Sequence, residues 1–287
     1  MNRIIKTGLF DGYARVAFID VTDIVNEEIK IHDLSPLATA ALGRSMAVGA
    51  YIGANLKSES DVYSITVSGD GPLGPIVIAG GHGTIRGYVT NPKTELPLRP
   101  DNHLDVGGGV GHKGYITVIK DLGLKEPYVG RSELISGEIA EDFTRYFLSS
   151  EGIRTAIALG VKVNSDGCIT AGGIICEALP GITEDMLVIL EDVMTNFTNV
   201  SDVMADKSLE EIYDFYFSHL NAEIYATEEI KLACNCSYER IENLVKGLGK
   251  KECEEIIKEQ GKIEAVCHFC EKRYVFTQAE VDKLWAE

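Results

Sequence analysis

Four of the chain's cysteines stand as two close pairs in residues 231–287, in ACNCS (Cys234, Cys236) and VCHFC (Cys267, Cys270), with thirty residues between the pairs. A stretch of 57 residues buries too little apolar surface for a secure core of its own, so a staple is expected to complete it. Zinc takes four thiolates in a tetrahedron at about 2.3 Å, and two close pairs joined by a loop meet that demand. In extended chain, residues i and i+2 project to the same side, so Cys234 and Cys236 reach one ion. Cys267-x-x-Cys270 suits a knuckle turn, and four thiolates leave no place for His268 between them. A disulfide-oxidoreductase reading is weaker, because the C-x-x-C lacks a β-α-β context. A purely structural staple is the plain alternative. The cramped first pair argues for more. Thiolates are the form that oxidants attack. Sequence neighbours can close a disulfide without long-range rearrangement, and one spanning a single residue is expected to be strained and easily reduced again. Losing the ion removes folding energy on the order of 10 kcal/mol, so oxidation is expected to unfold this tail.

Cysteines read as ligands or redox sensors only where thiols stay reduced. The first residues, MNRIIKTGLFDGYARV, hold no apolar run of signal-peptide length, and no stretch suits a transmembrane helix. A cytoplasmic protein without membrane contact is expected. The formal net charge is −17 and uneven. Residues 180–230 carry twelve acids against one lysine, net −11, while residues 231–287 are near neutral at −1. Such acidity opposes nucleic-acid binding, which depends on neutralising phosphates. A zinc-ribbon nucleic-acid binder stays open as a rival, with Lys250, Lys251, Lys272, Arg273, Tyr274 and Phe276 as its face, but Glu252, Glu254, Glu255 and Glu271 stand among them.

The patterning predicts an α+β protein: a mixed β-sheet core domain with packed helices (1–178), an acidic helical linker (179–230), and a small zinc-binding domain (231–287). In the first part, LATAALGRSMAVGAYIGANL reads as a buried helix. DVYSITVS, PIVIAGG, TIRGYVTNP and GYITVIKDLG read as strands, and GDGPLGP as a turn. SGEIAEDFTRYFLSSEG reads as a helix capped at Ser136 or its neighbour. VKVNSDGCITAGGIICEALPG reads as a hairpin turning at NSDG. In the linker, Met186, Leu187, Leu190, Val193, Met194 and Phe197 recur at helical spacing behind a Thr183 cap. Ile212, Phe215, Tyr216 and His219 or Leu220 repeat the pattern behind Ser208. Like charges repel within each helix, so folding is expected to depend on docking the apolar face. Neutralising several acids in 184–214 is then expected to make the docked state harder to open. In the tail, KKECEEIIKEQG and TQAEVDKLWAE read as helices, the second capped by Thr277.

No enzyme signature emerges, and a non-enzyme is expected. Gly69-Asp70-Gly71-Pro72-Leu73-Gly74 matches G-x-G-x-x-G, but prolines flank it and a strand follows, where the dinucleotide fingerprint opens a helix. GGGVGHKGY lacks the Lys-Ser/Thr ending of a phosphate loop. Gly43-Arg44-Ser45-Met46-Ala47 misses the nucleophile elbow by its last glycine. The histidines form no ligand set.

Two cysteine pairs in this order, preceded by GDGPLGPIVIAGGHGTIRGYVTNP, KDLGLKEPYVGRSELISGEIAEDFTRYFLSSE and AGGIICEALPG, resemble the heat-shock protein 33 family of redox-regulated chaperones. The likeness runs nearly end to end and is weakest across 182–230. It implies an ATP-independent holdase. Reduced, Cys234, Cys236, Cys267 and Cys270 would bind one zinc ion and the protein would be inactive. Oxidised, zinc would leave, Cys234–Cys236 and Cys267–Cys270 would form disulfides, the linker would loosen, clients would bind the exposed apolar surface, and homodimers would form. Cys168, Cys176 and Cys253 fall outside that pattern. The first two are expected in the core, and Cys253 is placed on a charged helix, where it is expected to be open to mixed disulfides.

Overall fold

The chain opens with a hairpin of β1 (Arg3–Leu9) and β2 (Ala14–Asp20) in the computed structural model, which describes residues 2–285. Two helices follow, α1 (Thr22–His32) and α2 (Pro36–Ala54). The second is the Ala- and Leu-rich stretch. The Ser35 hydroxyl accepts from the Ala38 N–H at 3.1 Å, and Pro36 sits where its missing N–H costs nothing. A helix apolar all round belongs inside, and α2 lies buried among both large sheets.

An antiparallel meander comes next: β3 (Val62–Ser68), β4 (Ile76–Gly81), β5 (Thr84–Val89), then after the short α3 (Val106–Val110) the strands β6 (Tyr115–Asp121) and β7 (Tyr128–Glu133). The G-x-G-x-x-G stretch joins β3 to β4 as a hairpin connection. A Cβ on Gly69 would lie 2.1 Å from the Val110 carbonyl oxygen, so these glycines serve close packing against α3. Ser45 is buried within α2 and donates to the Ala41 carbonyl at 2.8 Å, so it is no nucleophile.

Helix α4 (Ile139–Tyr146) precedes a long hairpin of β8 (Arg154–Asn164) and β9 (Gly167–Ala178), which turns at NSDG as its sequence predicts. The α4 cap differs from expectation. Glu138 occupies that position without a side-chain cap. Ser136 instead accepts from the Glu138 N–H at 3.2 Å and donates to Glu141 at 2.6 Å.

The acidic segment folds as α5 (Glu184–Thr195), α6 (Val200–Asp206) and α7 (Leu209–Tyr216), followed by the strand β10 (Glu223–Glu229) and the two-residue β11 (Lys231–Leu232). Thr183 and Ser208 cap α5 and α7 as expected. One sheet has the order β10-β1-β2-β9-β8, the other β11-β5-β4-β3-β6-β7; all pairings are antiparallel except β11 on β5.

The five-stranded sheet is apolar on both faces. Ile4, Ala17, Ile19 and Ile175 face the α2 core, while Ile5, Val16, Phe18, Ile174 and Cys176 face the acidic segment. That second face is covered by Leu190, Val193, Phe197, Leu209, Ile212 and Phe217. Phe217 meets Phe18 edge-on with ring centroids 5.1 Å apart, a geometry worth about 0.5–1.5 kcal/mol beyond area burial. Phe215, placed on the inner face by spacing alone, is 70 % exposed, and Leu209 and Phe217 take the inner positions. Helix α6 rests on a trough. Gly160 of β8 and Gly172 of β9 stand opposite each other, and a Cβ on Gly160 would lie 2.6 Å from the Ser201 nitrogen. Two acids of the segment hold it down: Glu210 makes a two-pronged pair with Arg3, and Asp202 pairs with Lys162 at 2.8 Å. The expectation that neutralising acids tightens docking therefore does not extend to these two.

By contacts the chain divides into two units, the first ending at Ala233 and the second beginning at Cys234. The second holds α8 (Tyr238–Leu248), α9 (Lys250–Gln260), the hairpin β12 (Ile263–Val266) and β13 (Arg273–Phe276), and α10 (Gln278–Leu284). Glu280 accepts from both the N–H and the hydroxyl of Thr277, closing the start of α10. The two final residues of the predicted last helix lie outside the described residues.

Candidate metal centre

Each cysteine pair is presented by a different local structure. Cys234 and Cys236 lie on the irregular chain just before α8, which starts when the Ser237 hydroxyl accepts from the Arg240 N–H at 3.2 Å. Cys267 and Cys270 sit in the turn of the β12–β13 hairpin. There the Cys267 carbonyl accepts from the N–H groups of Cys270 and Glu271 at 3.3 and 2.8 Å, and the Cys267 N–H donates to the Lys272 carbonyl at 3.0 Å. Glu271 takes a left-handed φ of 55° to complete that turn.

The pairs converge. Cys234 Sγ lies 3.6 Å from Cys267 Sγ, Cys236 Sγ lies 3.4 Å from Cys270 Sγ, and all four sulfurs stand within 4.8 Å of one another. Four thiolates about 2.3 Å from a common ion would stand about 3.8 Å apart, so the set fits a tetrahedral ion. Among the described residues this is the one group of three or more His, Cys, Asp or Glu side chains close enough to hold an ion. All four cysteines are part-exposed, so the site is open to small reagents.

The sulfurs do not share protons evenly. Burial opposes ionisation of Cys236, but the Tyr274 hydroxyl donates to its sulfur at 3.1 Å and the neighbouring thiols add to it, bringing the thiol down to about 7. Cys270 is pushed up to about 12, by burial first and then by those same neighbours, and burial raises Cys234 as well. The bond to Cys236 in turn pushes the Tyr274 phenol up to about 12. A cation that displaces the shared protons would find one sulfur already poised as thiolate. Tyr274 is the residue that sequence reading missed here. Only the rival nucleic-acid reading uses it, on an exposed basic face; it is buried, and alternation along RYVF is the available signal.

Behind the sulfurs is a small core of Val245, Cys253, Ile257, Ile263, Tyr274, Phe276, Val281 and Leu284, with Cys236 and Cys267 packed against it. Cys253 corrects an expectation. It is fully buried, its thiol lies 3.4 Å from the Val245 carbonyl oxygen, and burial raises its pKa. Its helix is charged on the outside, but the cysteine points inward and is closed to mixed disulfides while this unit is folded. Cys168 and Cys176 are in the core as expected; burial pushes Cys168 up to about 12 and raises Cys176 further.

The comparisons with known proteins extend over both units. Residues 2–277 match the family model described as Hsp33 protein. A protein of Caldanaerobacter subterraneus named 33 kDa chaperonin is 42 % identical over 268 residues, covering 92 % of this chain and 91 % of its own. One of the same name from Acetivibrio thermocellus is 41 % identical over 98 % of this chain and 96 % of its own. The crystal structure of the 33 kDa chaperonin, or heat shock protein 33 homolog, of Thermotoga maritima superposes with a TM-score of 0.89 at 35 % identity, over 99 % of this chain and 97 % of that one. With the cysteine spacing, the core segments and the backbone in agreement, the chain belongs to the Hsp33 family.

Proposed function

We propose that the chain is a redox-regulated, ATP-independent holdase chaperone rather than an enzyme, acting in the cytoplasm on unfolding or oxidatively damaged proteins. The observation that carries this reading is the gathering of four part-exposed sulfurs at one point of a unit with a very small core. Bound there, Zn2+ would hold Cys234, Cys236, Cys267 and Cys270 as thiolates and supply folding energy on the order of 10 kcal/mol. The chain then works as three functional parts, a core (1–178), an acidic linker (179–230) and a redox-switch domain (231–287).

Oxidation converts Cys234 with Cys236, and Cys267 with Cys270, to disulfides, each passing two electrons to the oxidant. A sulfur so paired is no longer an anionic ligand, and the small core loses its staple. The linker is the second element of the switch. Its helices cover an apolar sheet face, and β10 and β11 lead directly into Cys234. Loosening the linker would bare Phe18, Ile174 and their neighbours to clients, and the oxidised form would pair as a homodimer. Supporting the absence of nucleic-acid partners, basic residues of the tail stand beside acids: Arg273 and Lys262 both reach Glu264, at 3.0 and 2.8 Å.

The test follows zinc release during peroxide treatment under mild heat, with aggregation of an unfolded client measured in the same samples. Zinc loss that tracks client protection, with both reversed by reductant and zinc, is the expected result. Zinc that stays bound while protection appears, or leaves without any gain in protection, would reduce the cysteines to a structural staple.

A further inference from the structure

The core beneath the acidic segment holds an unusual share of the chain's thioethers. There are five methionines in the sequence. Met46 is fully buried in α2, whereas Met186 and Met194 of α5 and Met204 of α6 are half-buried and all pack on the sheet face that the segment covers. The Cys176 thiol of β9 lies 3.4 Å from Met194 Sδ. The Met204 methyl fills the glycine trough: a Cβ on Gly172 would meet Met204 Cε at 2.6 Å and the Ile19 carbonyl oxygen at 2.0 Å. Met194 and Met204 join the segment to the sheet, Met186 packs on the same apolar cluster, and their part-exposure admits small oxidants.

A two-electron oxidant such as hypochlorous acid transfers its oxygen to a thioether. The S–O bond forms, the O–Cl bond breaks, and chloride and a proton leave, with sulfur oxidised and chlorine reduced by two electrons. The product is a polar sulfoxide, which disrupts methionine-rich interfaces. The trough that Met204 fills is closely packed, its Cε standing 2.6 Å from where a Gly172 Cβ would lie, so it has little room for an added oxygen. At Met194 the neighbouring group is a single thiol, a weak donor. We propose that Met186, Met194 and Met204 are a modification site at which sulfoxide formation releases the acidic segment from the sheet, independently of the four tail cysteines. Thiol reductants repair disulfides but not sulfoxides, so this release outlasts restoration of the metal centre and ends only with enzymatic sulfoxide reduction. The consequence for client binding, though not the release itself, rests on the holdase reading above.

The experiment uses the full zinc-loaded chain. It is treated with hypochlorous acid, then with dithiothreitol and zinc, and hydrogen exchange across 184–216 is read by mass spectrometry. The expected result is sulfoxide at 186, 194 and 204 with Met46 spared, and exchange in the segment at least about tenfold faster than before treatment. A pair of methionine sulfoxide reductases, one per epimer, then restores protection. A variant carrying Met186→Leu, Met194→Leu and Met204→Leu regains protection with dithiothreitol and zinc alone; the reductase arm needs no variant. Parent chains that carry the three sulfoxides yet regain protection without the reductases would overturn the proposal, as would oxidation of these methionines no greater than that of Met46. Client aggregation in the same samples keeps the two readings apart. Clients left unprotected by a chain whose segment is released would sink the holdase reading alone, and a segment that re-docks while the three sulfoxides remain would sink the methionine latch alone.

Discussion

At the scale of single residues, the candidate metal centre has one side-chain donor from outside its four cysteines that bears on Cys236, the Tyr274 hydroxyl. Tyr274→Phe removes the donor to Cys236 while keeping the ring in the small core. A loss of about 10- to 100-fold in zinc affinity is expected, as for other outer partners of metal ligands, and competition with a chromophoric chelator measures it. Unchanged affinity would make Tyr274 a packing residue only. Cys236→Ser removes one of the four proposed ligands, so it should lose more zinc than Tyr274→Phe and bind apolar dyes even when reduced. Equal zinc content and dye binding in that variant and the parent would contradict the site. The four cysteines were legible in the sequence because spacing alone restricts which ligands can meet. Tyr274 and Cys253 were not, because each sits in a segment whose charged neighbours dominate its character. Whether one side chain turns inward depends on a tertiary partner: the Cys236 sulfur for Tyr274, the packing of α9 on β12 and α10 for Cys253.

Among the elements, α6 offers the most direct handle on the acidic segment. Gly160→Ala adds a methyl whose three nearest neighbours are Ser201 N, Ser201 Cβ and Val200 Cγ1, at 2.6 to 2.8 Å, all belonging to the segment. The strand backbone itself accepts alanine. Faster hydrogen exchange across 184–216 is therefore expected in reduced, zinc-bound protein, with the β-sheet core protected as before. Exchange like the parent's would mean that α6 can shift without undocking. The Lys162–Asp202 pair gives a pH dependence. The hydrogen bond from Lys162 lowers the Asp202 pKa, with the lysine's charge adding to it. A carboxylate whose folded pKa is depressed stabilises the fold above its unfolded pKa, and that contribution is lost as pH falls through the folded one. Asp202→Asn should thus exchange faster than the parent at neutral pH, and the gap should close as pH drops below the ordinary carboxylate range. A gap that persists in acid would assign the effect to something other than the charge. The helices α5 and α7 were readable from caps and spacing. The strand β10 was not, because EIYATEE alternates weakly and owes its conformation to β1; nor was the outward turn of Phe215, since spacing gives a face but not its centre.

For the whole molecule, the two units differ greatly in the core they command. The first holds two extensive apolar clusters, the second eight buried side chains and the four sulfurs. Chelating the metal under reducing conditions is expected to abolish amide protection from 238 to 284 while β1 to β9 keep theirs, a result read directly by exchange or by the loss of dispersed resonances from that unit alone. Protection persisting in the chelated tail would show that its own core suffices. One run of chain, 223–232, borders both large sheets, as β10 on β1 and then as β11 on β5. Its mechanics follow from its direction. The C-terminal end of β10 lies opposite the start of β1, with Glu229 beside Arg3. A load applied between residue 2 and the tail would first part the two-residue contact of β11 and then unzip β10 one cross-strand pair at a time, so that each hydrogen bond bears the force alone. Such a joint yields to weak traction, while the same sheets, sheared along their strands, would resist.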